Sequence, residues 1–155
     1  TMTPQQADRP RSLLRSWWRG LLAFLRMSPG EERPGAVGSW GEEVAAGYLE
    51  ERGYGLLERN YRVRGGEADL ILRFGESVVV VEVKTRQGGS AGAAVTAVTP
   101  EKARRVWRAA RAYCRRRGIS LARLRVDVVT VESGPDKGRP IVRHFPGLPP
   151  PRGRS

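Results

Sequence analysis

The sequence predicts an α/β domain built on a mixed sheet, with elements in the order α-β-β-β-α-β. Three observations carry this. Two β-branched or leucine-rich runs, Asp69–Phe74 and Val78–Val83, flank Gly75-Glu76-Ser77, a hairpin turn that opens on glycine. Segments from Trp40 to Gly53 and from Pro100 to Gly118 repeat apolar residues at helical spacing. Leu124–Val131 is a further apolar run that follows the second helix, so an antiparallel meander is joined to the last strand by a helical crossover.

The first 37 residues differ from the rest. Four prolines and scattered arginines surround one apolar segment, Ser12–Met27, with Leu14, Trp18, Leu21, Leu22 and Leu25 at helical spacing. This is a short basic amphipathic helix. Arg19 interrupts the apolar run, which excludes a transmembrane span and a clean secretory signal. The segment suits docking on the domain, a weak membrane-surface contact through residues 12–27, or a partner, and sequence does not choose among them. Residues 38–145 form the domain, and 146–155 read as a disordered basic Pro/Arg-rich tail.

Within the domain, Ser39 is placed to cap the first helix, with Glu42 three residues later as in a capping box and Gly53 at the end. Ala45, Ala46 and Leu49 share a helix face with Glu42, so this acid points towards the sheet, whereas Glu43, Glu50 and Glu51 can face water. Either Glu42 folds back on the Ser39 amide, or it serves a site. Gly55–Arg64 is a first strand that places Arg59, Arg62 and Arg64 near the hairpin acids, and Gly65-Gly66 turns the chain into the second.

If the hairpin loop is Gly75-Glu76, Phe74 pairs with Ser77 and Asp69 lies opposite Glu82, with Glu67 opposite Lys84. Two or three carboxylates and an ammonium then share one patch. Such a patch suits Mg²⁺ or Mn²⁺, hard cations content with one or two carboxylates plus water and phosphate oxygens. A lysine beside the cation can position the attacking water or stabilise charge on a phosphate. The same residues also fit a solvated ion pair, and a register slip of one would move Asp69 to the other face.

Gln87–Val98 is a Gly-, Ala- and Ser-rich loop. Thr99 caps the second helix, Pro100 starts it and Gly118 follows its end. Ala103, Val106, Trp107, Ala110, Tyr113 and Cys114 form its apolar stripe, and Arg104, Arg105, Arg108, Arg111 and Arg115 the other face. Asp127 is the one acid inside Leu124–Val131 and reads as a structural partner of an arginine; Ile141–Phe145 is a short edge strand.

Composition narrows the function. Lys+Arg 28 against Asp+Glu 16 gives a net charge of +12, and a pI near 11.2 makes a polyanion the expected partner, nucleic acid ahead of anionic membrane. The second helix holds eight basic residues against Glu101 alone, so the positive field is concentrated there. Cys114 is the one cysteine, which excludes an internal disulfide and a Cys-cluster zinc site and suits a cytoplasmic chain; with His144 the one histidine, neither a His-based metal site nor a Ser/His/Asp triad is expected.

The residues Gly41-Glu42-x-x-Ala45, Arg59-Asn60-Tyr61-Arg62, Gly66-Glu67-Ala68-Asp69-Leu70, Val81-Glu82-Val83-Lys84-Thr85-Arg86, Thr99-x-x-Lys102 and Arg125-Val126-Asp127-Val128-Val129 resemble the YraN family of bacteria, also called UPF0102. That family is similar to archaeal Holliday-junction resolvases within the PD-(D/E)XK restriction-endonuclease-like superfamily. The resemblance implies a restriction-endonuclease-like core, Asp69 and Glu82 as metal ligands, Lys84 as the catalytic lysine and Glu42 as a helix-borne acid. Ala68 stands where the superfamily usually has Pro and the family Ile, and neither change removes a ligand. The expectation is a Mg²⁺- or Mn²⁺-dependent endonuclease acting on branched or flapped DNA, ahead of RNA, with Arg59, Arg62, Arg86, Lys102, Arg104, Arg105, Arg108 and Arg111 gripping phosphates. A two-strand cut would need a homodimer. The alternative is a nucleic-acid-binding protein that keeps the nuclease fold and does not cleave.

Overall fold

The hairpin forms as its turn chemistry dictates. Gly75 adopts φ +57°, a left-handed conformation that glycine takes without steric cost, and Phe74 pairs with Ser77 in the predicted register. The computed structural model describes residues 36–86 and 98–153. The segment Ser12–Met27 and most of the loop after Arg86 lie outside them. Helix α1 spans Ala36–Glu51, and strands β1 Gly55–Val63, β2 Gly66–Phe74 and β3 Ser77–Arg86 follow. Helix α2 spans Pro100–Arg116, then come β4 Leu124–Glu132 and β5 Ile141–Phe145.

The sheet order is β1-β2-β3-β4-β5, antiparallel throughout except for the parallel β3–β4 pair that α2 connects. This is the predicted meander with its helical crossover. Strand β3 lies at the centre and is apolar on both faces, as a strand covered by a helix on each side must be. Val78 and Val80 join Tyr61, Ile71, Val106, Ala110, Tyr113 and Val126 in the layer against α2. Val79 and Val81 join Ala45, Ala46, Leu49, Leu70, Leu72 and Val129 in the layer against α1.

Both helix ends obey local rules, with one correction. On α2, the Thr99 hydroxyl accepts from Lys102 N at 3.2 Å, Pro100 opens the helix, and Ile119 N returns to Cys114 O at 2.9 Å past Gly118 (φ +64°). On α1, Gly53 (φ +92°) ends the helix while Tyr54 N donates to Leu49 O. The helix begins at Ala36, however, so Ser39 lies inside it and is not the N-cap. Glu42 is therefore a mid-helix residue with no capping box to close. One residue before it, Gly41 is buried where α1 crosses β3, and a Cβ there would overlap the Thr85 hydroxyl.

Asp127 has the structural part that the sequence assigns to it. It is fully buried, and Arg125 reaches both its oxygens at 2.8 Å, while His144 Nε2 lies 2.7 Å from Oδ2 and Gly147 N donates to Oδ1 at 3.0 Å. The residues just after β5 are tied down too. Leu148 N donates to Val126 O at 2.7 Å, and Trp107 Nε1 donates to Pro149 O at 3.2 Å.

Candidate metal centre

The site lies where β2 and β3 part. Their ladder runs from the turn to Leu70–Val81 and goes no further, although β2 continues to pair with β1 and β3 with β4. Asp69 is the first residue beyond the last pair. Its Oδ2 accepts from Val83 N at 2.7 Å, so a carboxylate replaces the missing strand contact and is held in the mouth of the fork. On the other side, the register places Asn60 of β1 opposite Asp69, and this pair is missing between Arg59–Leu70 and Tyr61–Ala68. Asn60 has φ +49°, a conformation that asparagine tolerates better than most L residues, and its amide hydrogen-bonds Glu42.

Glu82 lines the fork and is 2 % exposed. Lys102 Nζ and Lys84 Nζ stand 3.5 and 3.7 Å from its Oε1, and its Oε2 finds no hydrogen-bond partner among the described residues. Burial, then the negative charge of Asp69, push its pKa up to about 8 against the pull of Lys102 and Lys84. The Glu82–Asp69 contact is carboxyl to carboxyl. It holds when one of the two carries a proton, or when a cation lies between them.

Glu42, on α1, lies near enough to Asp69 to feel its charge. Burial and the Asp69 charge raise its pKa, offset by Arg59, Asn60 and Arg62. From the opposite layer comes Lys102, in the first turn of α2. Its ammonium is 2.5 Å from Glu67 Oε1 as well as 3.5 Å from Glu82. Burial disfavours that charge, but Glu67, Glu82 and Asp69 outweigh it and hold the lysine above its ordinary pKa. Glu67 in turn is held below the usual carboxylate value, chiefly by Lys102.

The predicted residues thus fall into two groups. Asp69, Glu82 and Lys84 converge, with Glu42 beside Asp69. Glu67 does not lie opposite Lys84: it pairs with Arg62 across β1, because the β2–β3 ladder has already ended. Arg104, Arg105, Arg108 and Arg111 are exposed on α2, with Arg105 3.9 Å from Glu67 and Arg108 over the Gly65 turn. Arg59 is half-buried near Glu42, Arg62 is exposed, and Arg86 ends β3 opposite Glu132. Lys102, expected among the phosphate contacts, is inside the acid cluster, and Asn60 has a place there that sequence reasoning missed. The one available signal was that Lys102 is the only cation on the partly buried side of α2's first turn.

Among the described residues no three His, Cys, Asp or Glu side chains close into a metal cage. An open site does not need one. Two hard oxygen donors, one of them with an orphaned buried oxygen, fit Mg²⁺ or Mn²⁺ completed by water and phosphate.

The model of the uncharacterised protein family UPF0102 matches residues 41–131, from the α1–β3 crossing to the end of β4. The chain belongs to UPF0102. A UPF0102 protein of Kineococcus radiotolerans is 44% identical over 119 residues, covering 73% of this chain and 93% of its own. One of Anaeromyxobacter dehalogenans is 45% identical over 111 residues, 72% of this chain and 81% of its own. One of Symbiobacterium thermophilum is 48% identical over 100 residues, 64% and 85%. All the residues of the fork lie inside the UPF0102 match. Among the described residues of this UPF0102 chain, no helix is long and apolar enough to cross a membrane.

Proposed function

We propose that this UPF0102 protein is a divalent-metal-dependent nuclease that hydrolyses phosphodiester bonds, with DNA, branched or flapped, as its substrate. The observation that carries the reading is the Asp69–Glu82 pair, two adjoining acids in a strand fork with a buried oxygen that no described residue satisfies. Glu132 also keeps an unpaired buried oxygen, but it faces Arg143, and Asp127 is closed off on every side; Glu82 alone of the three has another acid against it.

Asp69 and Glu82 would hold the cation, which when bound lowers the pKa of a ligand water and polarises the scissile phosphate. Val83 N fixes the direction of the Asp69 carboxylate before any substrate arrives. Lys84, 29 % exposed in its side chain, stands at the mouth of the fork, where its ammonium can orient the attacking water or neutralise the charge that grows on the phosphate. Glu42, with its raised proton affinity, is placed to take the proton that the water gives up. The exposed arginines of α2 supply phosphate contacts that carry no sequence information.

The test is cleavage of a labelled panel (four-way junction, flap, duplex, single-stranded DNA, structured RNA) with Mn²⁺, wild type beside Asp69→Ala. Cleavage that the substitution abolishes supports the reading, and the preferred member names the substrate. No cleavage anywhere, with tight salt-sensitive binding, makes the protein a nucleic-acid-binding member of the fold instead.

A further inference from the structure

We propose that Lys102 is a built-in counter-cation of the carboxylate pair, one that a divalent metal displaces from Glu82 and that Glu67 then retains. The inference rests on the reading of Asp69 and Glu82 as metal ligands and concerns how that site is kept ready.

Two ammonium groups flank Glu82 Oε1, and they differ in what else they touch. Lys84 leaves from the same strand and, among the described residues, has one acid within ion-pair distance. Lys102 comes from α2 and has two, Glu67 on β2 at 2.5 Å and Glu82 on β3 at 3.5 Å. A cation entering beside Glu82 repels both lysines. If Lys84 yields, it gives up the one acid it has among the described residues. If Lys102 yields, its shorter contact stays, and no buried charge is left unpaired. Its position also allows the movement: the side chain is 25 % exposed, while the backbone below it is pinned, because Lys102 N is held by the Thr99 cap. The side chain therefore has two acids to choose between and a fixed base from which to choose.

A device of this kind solves a problem posed by the site itself. Two adjoining acids with a buried oxygen that no described residue satisfies repel each other whenever both are ionised and no metal lies between them. An internal ammonium relieves that repulsion in the empty state, and lowers the affinity for the metal by the work of pushing it aside. Glu67 reduces that work by receiving it.

The experiment is Mn²⁺ binding to the full chain, followed by the paramagnetic signal of free Mn²⁺ and by the Mn²⁺-induced rise in Tm, for wild type, Lys102→Met, Glu67→Gln and the double variant. Lys102→Met is expected to tighten Mn²⁺ binding about tenfold, since an ammonium a few ångströms from the metal is removed. Glu67→Gln is expected to weaken it. In the Lys102→Met background the Glu67→Gln effect should shrink at least threefold, because the retaining acid has nothing left to retain. Unchanged or weaker Mn²⁺ binding in a folded Lys102→Met, or additive effects in the double variant, would overturn the inference while leaving metal binding by the wild type intact. If Lys102→Met does not fold, the same comparison with Lys102→Gln decides. No Mn²⁺ binding by any of the four proteins would overturn the inference together with the metal reading beneath it.

Discussion

Asp127 and Glu82 are buried acids on adjacent strands, and their surroundings are opposite. Asp127 has an arginine across both oxygens, an imidazole on one and a backbone amide on the other, so it accepts four contacts between 2.7 and 3.0 Å. Glu82 has two lysines beyond 3.4 Å on one oxygen, nothing on the other, and another acid beside it. Burial is the same and satisfaction is not. A carboxylate that has been closed off holds strands together, whereas one left open against a like charge is poised for something the chain does not itself supply.

Substitution should separate the two sharply. Asp127→Ala strands Arg125 and His144 and should cost about 3–5 kcal/mol, a fall in Tm of more than about 10 °C, with any remaining folded protein still cleaving. Retention of wild-type Tm would remove the basis of the contrast. Next in size, Glu82→Gln should lower Mn²⁺-dependent cleavage by about 10²–10³-fold while leaving the metal-free Tm unchanged or higher. A cleavage rate within about twofold of wild type would put the metal elsewhere.

The contrast also has a pH signature. Glu82 titrates near 8 in the folded chain against an ordinary value of 4.5, so its native state binds the extra proton. Its contribution is complete below its unfolded pKa and is lost as pH rises towards about 8. In chelator, wild type should therefore lose Tm between about pH 5 and about pH 9, on the order of 5 °C, and Glu82→Gln should lose less. Glu42 and Glu50 act in the same direction and Glu67 in the opposite one, but all three are common to both proteins. Equal slopes would show that Glu82 is ionised without cost. The smallest effect belongs to the surface. Replacing Arg104, Arg108 and Arg111 by Ala should reduce the slope of log K against log salt by about 2–3 for duplex DNA, equally for all sequences, and an unaltered slope would take the phosphate track off α2.

Much of this was legible from residue order. The glycine turn set the hairpin register, which carries Asp69 and Glu82 to the end of the ladder, where the Asp69 bond to Val83 N takes over and Lys84 joins the same fork. Thr99, Pro100 and Gly118 bounded α2 because caps are local chemistry. What escaped was tertiary. Nothing local says that the β2–β3 ladder stops after Leu70–Val81, so Glu67 was set against Lys84 and not against Arg62 and Lys102. A helix residue's partner on a distant strand has no periodicity to betray it, so Lys102 looked like one more arginine-face cation. Ser39 and Glu42 matched a capping box in spacing, yet α1 starts at Ala36, which hands Glu42 to Asn60 and the fork.

Gly41 bears on that last arrangement. Helix α1 rests on Thr85 at Gly41, where it offers no side chain, and the next residue is Glu42, the acid that feels the Asp69 charge. The separation between helix and strand is thus gauged by a missing methyl group. Any larger residue would act as a shim under one end of α1, leaving five strands and both cores in place while tilting Glu42 out of line. In this domain the aim of Glu42 is set by empty space, and on the proposed nuclease reading a loss of aim would be felt in turnover well before it was felt in folding.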